Sequence, residues 1–230
     1  MTGPDGDTGR RLLVPLYVHP AVDPQAWTAL VRAATRLDGV ILNAADGPGA
    51  RPDPAFTIAA ARLRCAGVPL LGYVDTGYGR RPLRAVVADI RRHRKWYGVD
   101  GVFLDQAAAQ AALVPRYRRL AVAARVLGAH RTVLNPGTYP DPGYAEFADL
   151  LVTFEGDWAT YQRAEVPAWA HGHPPGRFCH LVYAVPHGRA DDVARTAERR
   201  GAAVHYAVPG AGANPWQTAP PAIATRKEHW

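Results

Sequence analysis

The sequence predicts an α/β fold, a single-domain (β/α)8 TIM-barrel-like architecture, on the basis of three observations. Apolar runs alternate with longer segments of helical periodicity, which gives about eight strand–helix units. The chain has 230 residues, a length that suits one barrel without a second core. No Gly-x-Gly-x-x-Gly turn follows the first apolar run, which argues against a doubly wound dinucleotide-binding sheet. Parallel strands joined by short connections cross over with a right hand, so a closed barrel is expected.

The first half of the chain supplies four of these units. The clearest strand is the run over residues 100–106, which opens with an Asp-Gly turn signal and ends in a carboxylate and an amide. Buried strands of parallel sheets show this pattern, and an ionised Asp without partners is costly to bury. Asp105 is therefore expected at the mouth of its strand. The other predicted strands cover 12–19, 39–43 and 68–74, and the predicted helices cover 25–37, 54–66 and 83–96.

The second half repeats the alternation of strand and helix. Predicted strands cover 132–135, 150–155, 180–185 and 203–208, and predicted helices cover 114–127, 144–147 and 191–200. The barrel is thus expected to span residues 12–213. Residues 1–11 are expected to form a flexible N-terminus, and residues 214–230 a loosely packed C-terminal tail.

The charge distribution leaves one alternative open. The formal net charge is +7, and a basic balance can indicate a nucleic-acid- or phosphate-binding face. No run of Lys or Arg is interleaved with stacking aromatics, as it is in single-strand binders. We interpret the arginines as a solvated helical surface and expect no nucleic-acid partner. The residues concerned are Arg80, Arg81, Arg84, Arg91, Arg92, Arg94, Arg116, Arg118 and Arg119.

The sequence as written carries no export or membrane signal. Its first eleven residues are polar and rich in Gly and Asp, and no later stretch is long and apolar enough to span a bilayer. We expect a cytoplasmic protein, unless the true start lies upstream, in which case secretion is open. Cys65 and Cys179 are far apart and make no disulfide framework.

Polar residues gather at the predicted C-terminal ends of the strands, where barrel active sites lie. Two of them, Asp105 and Glu155, are carboxylates expected to face one another across the mouth. Glycosidic bond cleavage needs such a pair, one as a protonated acid and one as an ionised nucleophile or base. The surrounding Tyr and Asn side chains suit sugar recognition. The other polar residues at these ends are Tyr17, His19, Asn43, Tyr73, Asp75, Tyr78, Gln106, Asn135, Tyr183 and His205.

Structural roles remain open for several of these residues. Asp105 could cap the following helix, and Glu155 could pair with an arginine on a helix surface. Asn43 and Asn135 both precede loop signals and could simply shape turns.

The histidines do not indicate a metal centre. His19 and His205 are interpreted as pocket lining or hydrogen-bonded structure. His171 and His173 form a loop pair without a matching ligand set. We therefore expect neither a metal nor an organic cofactor.

The chain resembles the spherulin-4 (spherulation-specific family 4) proteins over nearly its whole length. The resemblance lies in the order and spacing of short motifs, each of which is weak alone. These motifs are Val14-Pro15-Leu16-Tyr17-Val18, Ile41-Leu42-Asn43 with Gly47-Pro48-Gly49, Gly72-Tyr73-Val74-x-Thr76-x-Tyr78-Gly79, Trp96-Tyr97-x-Val99-Asp100-Gly101-Val102-Phe103-Leu104-Asp105, Leu134-Asn135-Pro136-Gly137-Thr138, Ala148-Asp149 and Thr153-Phe154-Glu155.

The resemblance implies a barrel glycoside hydrolase related to fungal enzymes that cleave α-1,4-linked N-acetylgalactosamine within galactosaminogalactan. The catalytic acids of that family fall on an Asp-Glu pair after the fourth strand and a Glu after the sixth. Asp105 and Glu155 match the Asp and the later Glu, whereas Gln106 stands where the fungal enzymes have Glu. The implied sugar subsite is lined by Tyr17, Asn43, Tyr73, Asp75, Tyr78, Gln106, Asn135 and Tyr183.

Gln106 leaves two interpretations, because an amide cannot act as acid or base. Either Asp105 and Glu155 suffice and Gln106 orients a polysaccharide or oligosaccharide substrate, or the domain is a non-catalytic carbohydrate-binding barrel with a sporulation or cell-wall role. We favour the first, because the other motif positions are intact.

Overall fold

The computed structural model describes residues 11–217, which form a closed barrel of eight parallel strands in sequence order. The predicted (β/α)8 fold is confirmed. Residues 1–10 and 218–230, and with them most of both predicted terminal segments, lie outside the described residues. The strands are β1 (Arg11–Pro15), β2 (Leu37–Leu42), β3 (Leu70–Asp75), β4 (Gly101–Asp105), β5 (Arg131–Leu134), β6 (Leu150–Asp157), β7 (Phe178–Tyr183) and β8 (Val204–Ala207). The helices are α1 (Pro24–Arg32), α2 (Pro54–Cys65), α3 (Leu83–Tyr97), α4 (Val114–Val126), α5 (Trp158–Arg163) and α6 (Ala190–Arg199).

Some element boundaries differ from those predicted. The helix expected over 25–37 ends at Arg32, because Leu37 already begins β2, where it is fully buried opposite Leu12. A 3-10 turn, Pro142–Glu146, is the only helical element between β5 and β6, and the described residues after β8 contain no helix. Within residues 11–217, no helix is both long and apolar enough to cross a membrane.

The first two helices begin with the same device. Asp23 and Asp53 are their N-caps, and each carboxylate accepts a backbone N–H from the first turn. A proline follows each cap, where the missing N–H costs nothing. The cap and the proline together fix the residue at which each helix begins after its mouth loop.

The strand register determines which side chains reach the mouth. Alternate residues of a strand face opposite sides, and Tyr73 lies opposite Phe103 while Asp75 lies opposite Asp105. Phe103 is buried in the barrel interior. Asp105, two residues further on, faces the same side at the end of its strand.

The N-terminal end of the barrel is held by compensated charge. Asp38 on β2 and Arg131 on β5 form an ion pair of 2.5 Å, and Arg131 also donates to the Asp38 carbonyl at 2.8 Å. Since β2 and β5 are not neighbours in the sheet, this pair crosses the end of the barrel. Asp100, just before β4, accepts the Leu70 N–H at 2.9 Å.

Candidate active site

A cavity of about 550 Å³ opens at the C-terminal ends of the strands. Its size is that of a small-molecule or sugar site rather than of a solvent gap. No Lys, Arg or His is among the described residues that line it, although three carboxylates are. The lining residues are Pro15, Tyr17, Asn43, Ala44, Ala45, Asp46, Tyr73, Phe103, Asp105, Asn135, Glu155, Leu181, Tyr183, Gly212, Ala213, Asn214, Pro215 and Trp216.

One amide group joins two carboxyl groups at the bottom of this cavity. The Asn135 Nδ2 donates to Asp105 Oδ1 at 2.7 Å and also to Glu155 Oε2. Its Oδ1 accepts the Gly137 N–H at 3.1 Å, which keeps the NH2 group turned toward the acids. Three consecutive strands, β4, β5 and β6, therefore bring Asp105, Asn135 and Glu155 together.

The surroundings of Glu155 favour its protonated form. Burial, and after it the nearby Asp105 carboxylate, raise the pKa of Glu155 to about 7, against opposing hydrogen bonds from Asn135 and the Trp216 indole. A carboxyl group with such a pKa holds a proton at neutral pH and can release it. This is the property required of a general acid.

Asp105 is better solvated by donors than Glu155. Tyr73 Oη donates to Asp105 Oδ2 at 2.7 Å. Burial raises the pKa of Asp105, while hydrogen bonds from Tyr73, the Gln106 backbone and Asn135 lower it. Burial, and after it the same carboxylate, raise the pKa of Tyr73, so the phenol stays protonated and remains a donor. Asp105 is thus the member of the pair whose ionised form is supported from several sides.

The structure brings seven of the predicted site residues into the cavity wall and leaves three outside it. Those in the wall are Tyr17, Asn43, Tyr73, Asp105, Asn135, Glu155 and Tyr183. Neither structural alternative for the acids applies, because Asp105 bonds Tyr73 and Asn135 rather than a helix end. Among the described residues, Glu155 has no arginine partner.

Asp75, Tyr78 and Gln106, which are also predicted to bind substrate, are not among the residues that line this cavity. The Asp75 carboxylate turns back onto its own loop and accepts the Gly77 N–H at 2.6 Å. Gln106 follows an inward-facing residue and has φ +46°, which carries the chain away from the cavity. Tyr78, at φ +53°, is about half exposed, and its N–H donates to the Gln106 carbonyl at 2.7 Å.

The two histidines placed at the strand ends also lie away from the cavity. His19 Nε2 is 3.1 Å from Asp53 Oδ2 at the start of α2, and its ring packs edge-on against Phe56. His205 is buried within β8, opposite Leu12 near the start of β1. Neither histidine is among the residues that line the cavity, and His19 is hydrogen-bonded to the helix cap. Within residues 11–217, no group of three His, Cys, Asp or Glu side chains is arranged to hold a metal ion.

Sequence reasoning missed Asp46 and Trp216. Trp216 is 5% exposed and packs among the core residues, so the start of the presumed loose tail, Asn214 to Gln217, belongs to the barrel mouth. The signal for Trp216 was its place after β8, since loops that follow barrel strands collect at the mouth. Asp46 had the same signal after β2.

Backbone strain is concentrated at this end of the molecule. The non-glycine residues with positive φ among the described residues are Asp46, Tyr78, Gln106 and Ala184, and they follow β2, β3, β4 and β7. Such conformations cost on the order of 1 kcal/mol each and gather at functional sites. The mouth loops are therefore shaped at the expense of local stability.

Comparisons with known proteins point to one family. The model of spherulation-specific family 4 matches residues 11–225. Spherulin-4 of Physarum polycephalum is 38% identical over 152 residues, which cover 63% of this chain and 44% of that protein. The chain thus spans less than half the length of this curated relative.

Solved structures of other proteins have a similar barrel fold. Sph3 of Aspergillus clavatus, crystallised in complex with GalNAc, has a TM-score of 0.80 and 27% identity, with 94% of this chain and 96% of that chain covered. A chitinase of Rhizomucor miehei has a TM-score of 0.57 and 11% identity, with 93% and 100% covered. At that identity the chitinase shows the barrel fold alone.

Proposed function

The chain belongs to spherulation-specific family 4, and from this membership and the carboxyl pair in its barrel mouth we propose that it is a glycoside hydrolase. Its proposed substrate is an amino-sugar-containing polysaccharide of the galactosamine or N-acetylgalactosamine type. The GalNAc complex of Sph3 supports the sugar class. The observation that carries the proposal is the single amide of Asn135, which bridges Asp105 and Glu155 at the bottom of the cavity.

The electrostatics assign a role to each acid. Glu155, whose pKa is raised to about 7, is the proton donor to the glycosidic oxygen. Asp105, with hydrogen bonds from Tyr73 and Asn135, is the ionised group beside the anomeric carbon. Two carboxyls whose environments separate their protonation states are what this chemistry requires.

The bridge also limits the distance between the acids. Two hydrogen bonds of ~2.9 Å to one nitrogen place the bonded oxygens no more than ~5.8 Å apart. Retaining enzymes hold their carboxyls at about 5–5.5 Å, whereas inverting enzymes leave room for a water between them. We therefore assign a retaining reaction, with Asp105 as the nucleophile.

The reaction then runs in two balanced steps. The Asp105 carboxylate attacks the anomeric carbon as the glycosidic C–O bond breaks, and the Glu155 proton goes to the leaving oxygen. The Glu155 carboxylate next takes a proton from water, whose oxygen attacks the anomeric carbon and releases Asp105. Asn135 donates to both acids, so it stabilises whichever one is ionised.

The alternative function, a non-catalytic carbohydrate-binding barrel, is favoured by one observation, the amide at position 106. Gln106 is not among the residues that line the cavity, whereas Asp105 and Glu155 are. The cavity therefore contains two carboxyl groups, the number that the proposed reaction needs, without a carboxyl at position 106. This geometry favours the hydrolase over the binding module.

Product release from α-linked galactosamine and N-acetylgalactosamine oligosaccharides tests the proposal. Wild type is compared with Glu155→Gln, which keeps the size of the side chain and removes its acid. The matched control is Glu146→Gln, because Glu146 is exposed and pairs with Arg118 on the surface. We expect wild type and the control to cleave, and Glu155→Gln to bind the sugars and lose at least about a thousandfold in rate.

Binding of these oligosaccharides without cleavage by wild type would reject the hydrolase in favour of the binding barrel. Equal cleavage by wild type and Glu155→Gln would remove Glu155 from the mechanism. If wild type neither binds nor cleaves these oligosaccharides, the proposed sugar class is rejected.

A further inference from the structure

The segment 212–216 closes the seam between the first and last strands. β1 and β8 pair only at Arg11 with Val204 and at Leu12 with His205, so their upper halves share no ladder. Beyond that point the Tyr17 N–H donates to the Trp216 carbonyl at 2.9 Å. The segment thus takes the place of strand pairing at the mouth.

Side chains hold the segment in this position. Asn214 Nδ2 donates to the Tyr17 carbonyl at 3.3 Å, and Asn214 Oδ1 accepts the Trp216 N–H at 3.2 Å. A side chain at Gly210 would overlap the Pro215 carbonyl oxygen, so glycine is needed there for the close approach.

The Trp216 ring is wedged between the seam and the cavity. It packs edge-on against Tyr183, with ring centres 5.9 Å apart, and tilted against Tyr206 at 5.9 Å. It is almost completely buried, yet it lines the cavity together with Glu155. Its one polar group, the indole N–H, acts as a donor toward the Glu155 carboxyl.

We propose that Trp216 is a positioning residue of the mouth, which closes the β1–β8 seam and directs its indole N–H at Glu155 so that the acid is held for proton transfer. This role rests on the proposed function, because it matters for catalysis only if Glu155 is the acid. The contact between Trp216 and Glu155 can be tested without catalysis.

The groups around Glu155 explain why a second donor is needed. Asp105 on β4 disfavours a negative charge on Glu155, and the buried phenol of Tyr17 and thiol of Cys179 each lie within electrostatic reach. Asn135 already divides its NH2 group between the two acids. The Trp216 indole is a further donor to Glu155, so it favours the ionised state that forms when Glu155 gives up its proton.

Nuclear magnetic resonance of the Trp indole N–H groups tests the contact directly. We expect the Trp216 indole resonance to move with pH around a midpoint near 7, the pKa of Glu155, and to stay fixed in Glu155→Gln. Trp27 is the internal reference, because it is equally buried and donates its indole N–H to the Val18 carbonyl at 3.1 Å. A Trp216 resonance that does not titrate near neutral pH would overturn the proposal, whether or not the protein cleaves glycans.

The matched substitutions Trp216→Phe and Trp27→Phe separate positioning from packing. Both keep an aromatic ring and lose one indole hydrogen bond. Loss of a donor to a carboxylate raises its pKa, so Trp216→Phe should move the alkaline limb of the pH–rate profile upward by roughly one unit. Its maximal rate should fall about tenfold. Trp27→Phe should lower stability and leave the profile in place, and an unmoved profile in Trp216→Phe would reduce Trp216 to a structural residue.

Discussion

The two ends of the barrel surround their carboxylates with different partners. At the N-terminal end, Asp38 faces Arg131 across the barrel at 2.5 Å, and Asp100 is held by a backbone N–H at 2.9 Å. At the C-terminal end, Asp105 and Glu155 face each other, and their hydrogen-bond donors among the described residues are neutral: Asn135, Tyr73, Trp216 and the Gln106 backbone.

This difference separates stability from chemistry. A carboxylate beside a guanidinium is ionised and fixed in place, which serves the fold. Two facing carboxylates in a cavity without a cation compete for one proton, which opposes folding but creates an acid and a base side by side. The non-glycine residues with positive φ among the described residues also lie at the C-terminal end, in the mouth loops.

Removing the ionised member of the mouth pair should reduce activity more than any other substitution considered. Asp105→Asn keeps the shape of the side chain and its position beside Tyr73 but removes the proposed nucleophile. We expect a rate loss of about 10⁴-fold with the fold intact. Turnover is measured on the amino-sugar oligosaccharides, with circular dichroism as the folding check. A loss smaller than tenfold would contradict the assignment of Asp105.

Removing the bridge should have a smaller effect than removing an acid. Asn135→Ala leaves both carboxyls in place but lets them move and leaves them without their shared donor. A rate loss of about 10²-fold is expected, comparable to the loss of one transition-state donor. Asn135→Asp serves as the contrasting variant, since a third carboxylate should reduce the rate further. Wild-type kinetics in Asn135→Ala would show that the bridge has no part in the reaction.

At the opposite end, the same type of substitution should change stability alone. Asp38→Asn leaves the Arg131 guanidinium, about a quarter exposed, without its counter-ion. The free energy of unfolding should fall by about 2 kcal/mol, less than for a fully buried pair. Denaturant unfolding measures this, and kcat at a temperature below the transition should equal that of wild type. A change in kcat would show that the two ends are not independent.

Neutralising Glu155 should stabilise the protein, the reverse of the effect at Asp38. The folded-state pKa of Glu155 is raised from 4.5 to about 7, so the folded state binds more protons between these values. Stability is therefore lost as pH rises through this window. Glu155→Gln removes the loss, and at pH 8 it should raise the free energy of unfolding by on the order of 1–3 kcal/mol. Near pH 4 the two proteins should differ little, and an equal difference at both pH values would contradict the sign.

The smallest effect is expected at position 106. Gln106 lies outside the cavity wall, so Gln106→Glu should change the rate by less than about threefold. A hundredfold gain in cleavage would instead identify the amide as an inactivating substitution and favour a binding barrel as the wild-type function.

The fold and the acid pair follow from local sequence signals. Asp105 and Glu155 each end an apolar run, and parallel strands deliver such residues to one end of a barrel. The bridging role of Asn135 could not be predicted, because it depends on the register of three strands at once. The sequence showed only an Asn before a turn.

The differences between the predicted and the observed mouth also have physical causes. Asp75, Tyr78 and Gln106 stand at the right positions in the chain, but the direction of each side chain depends on a turn or on a positive φ that the sequence does not reveal. Trp216 was placed in a loose tail because segment 212–216 has no periodicity. It is buried against Tyr17 just after β1, Tyr183 on β7 and Tyr206 on β8.

The ionisation of Glu155 would show whether the two acids of the mouth compete for one proton. Carbon-13 nuclear magnetic resonance of the glutamate carboxyls would follow it in wild type and in Asp105→Asn, with Glu155→Gln to assign the signal. We predict a pKa for Glu155 of about 7 in wild type and a lower pKa in Asp105→Asn, because the neighbouring charge is gone. A Glu155 that titrates near the ordinary value of 4.5, or that is unaffected by Asp105→Asn, would contradict this competition.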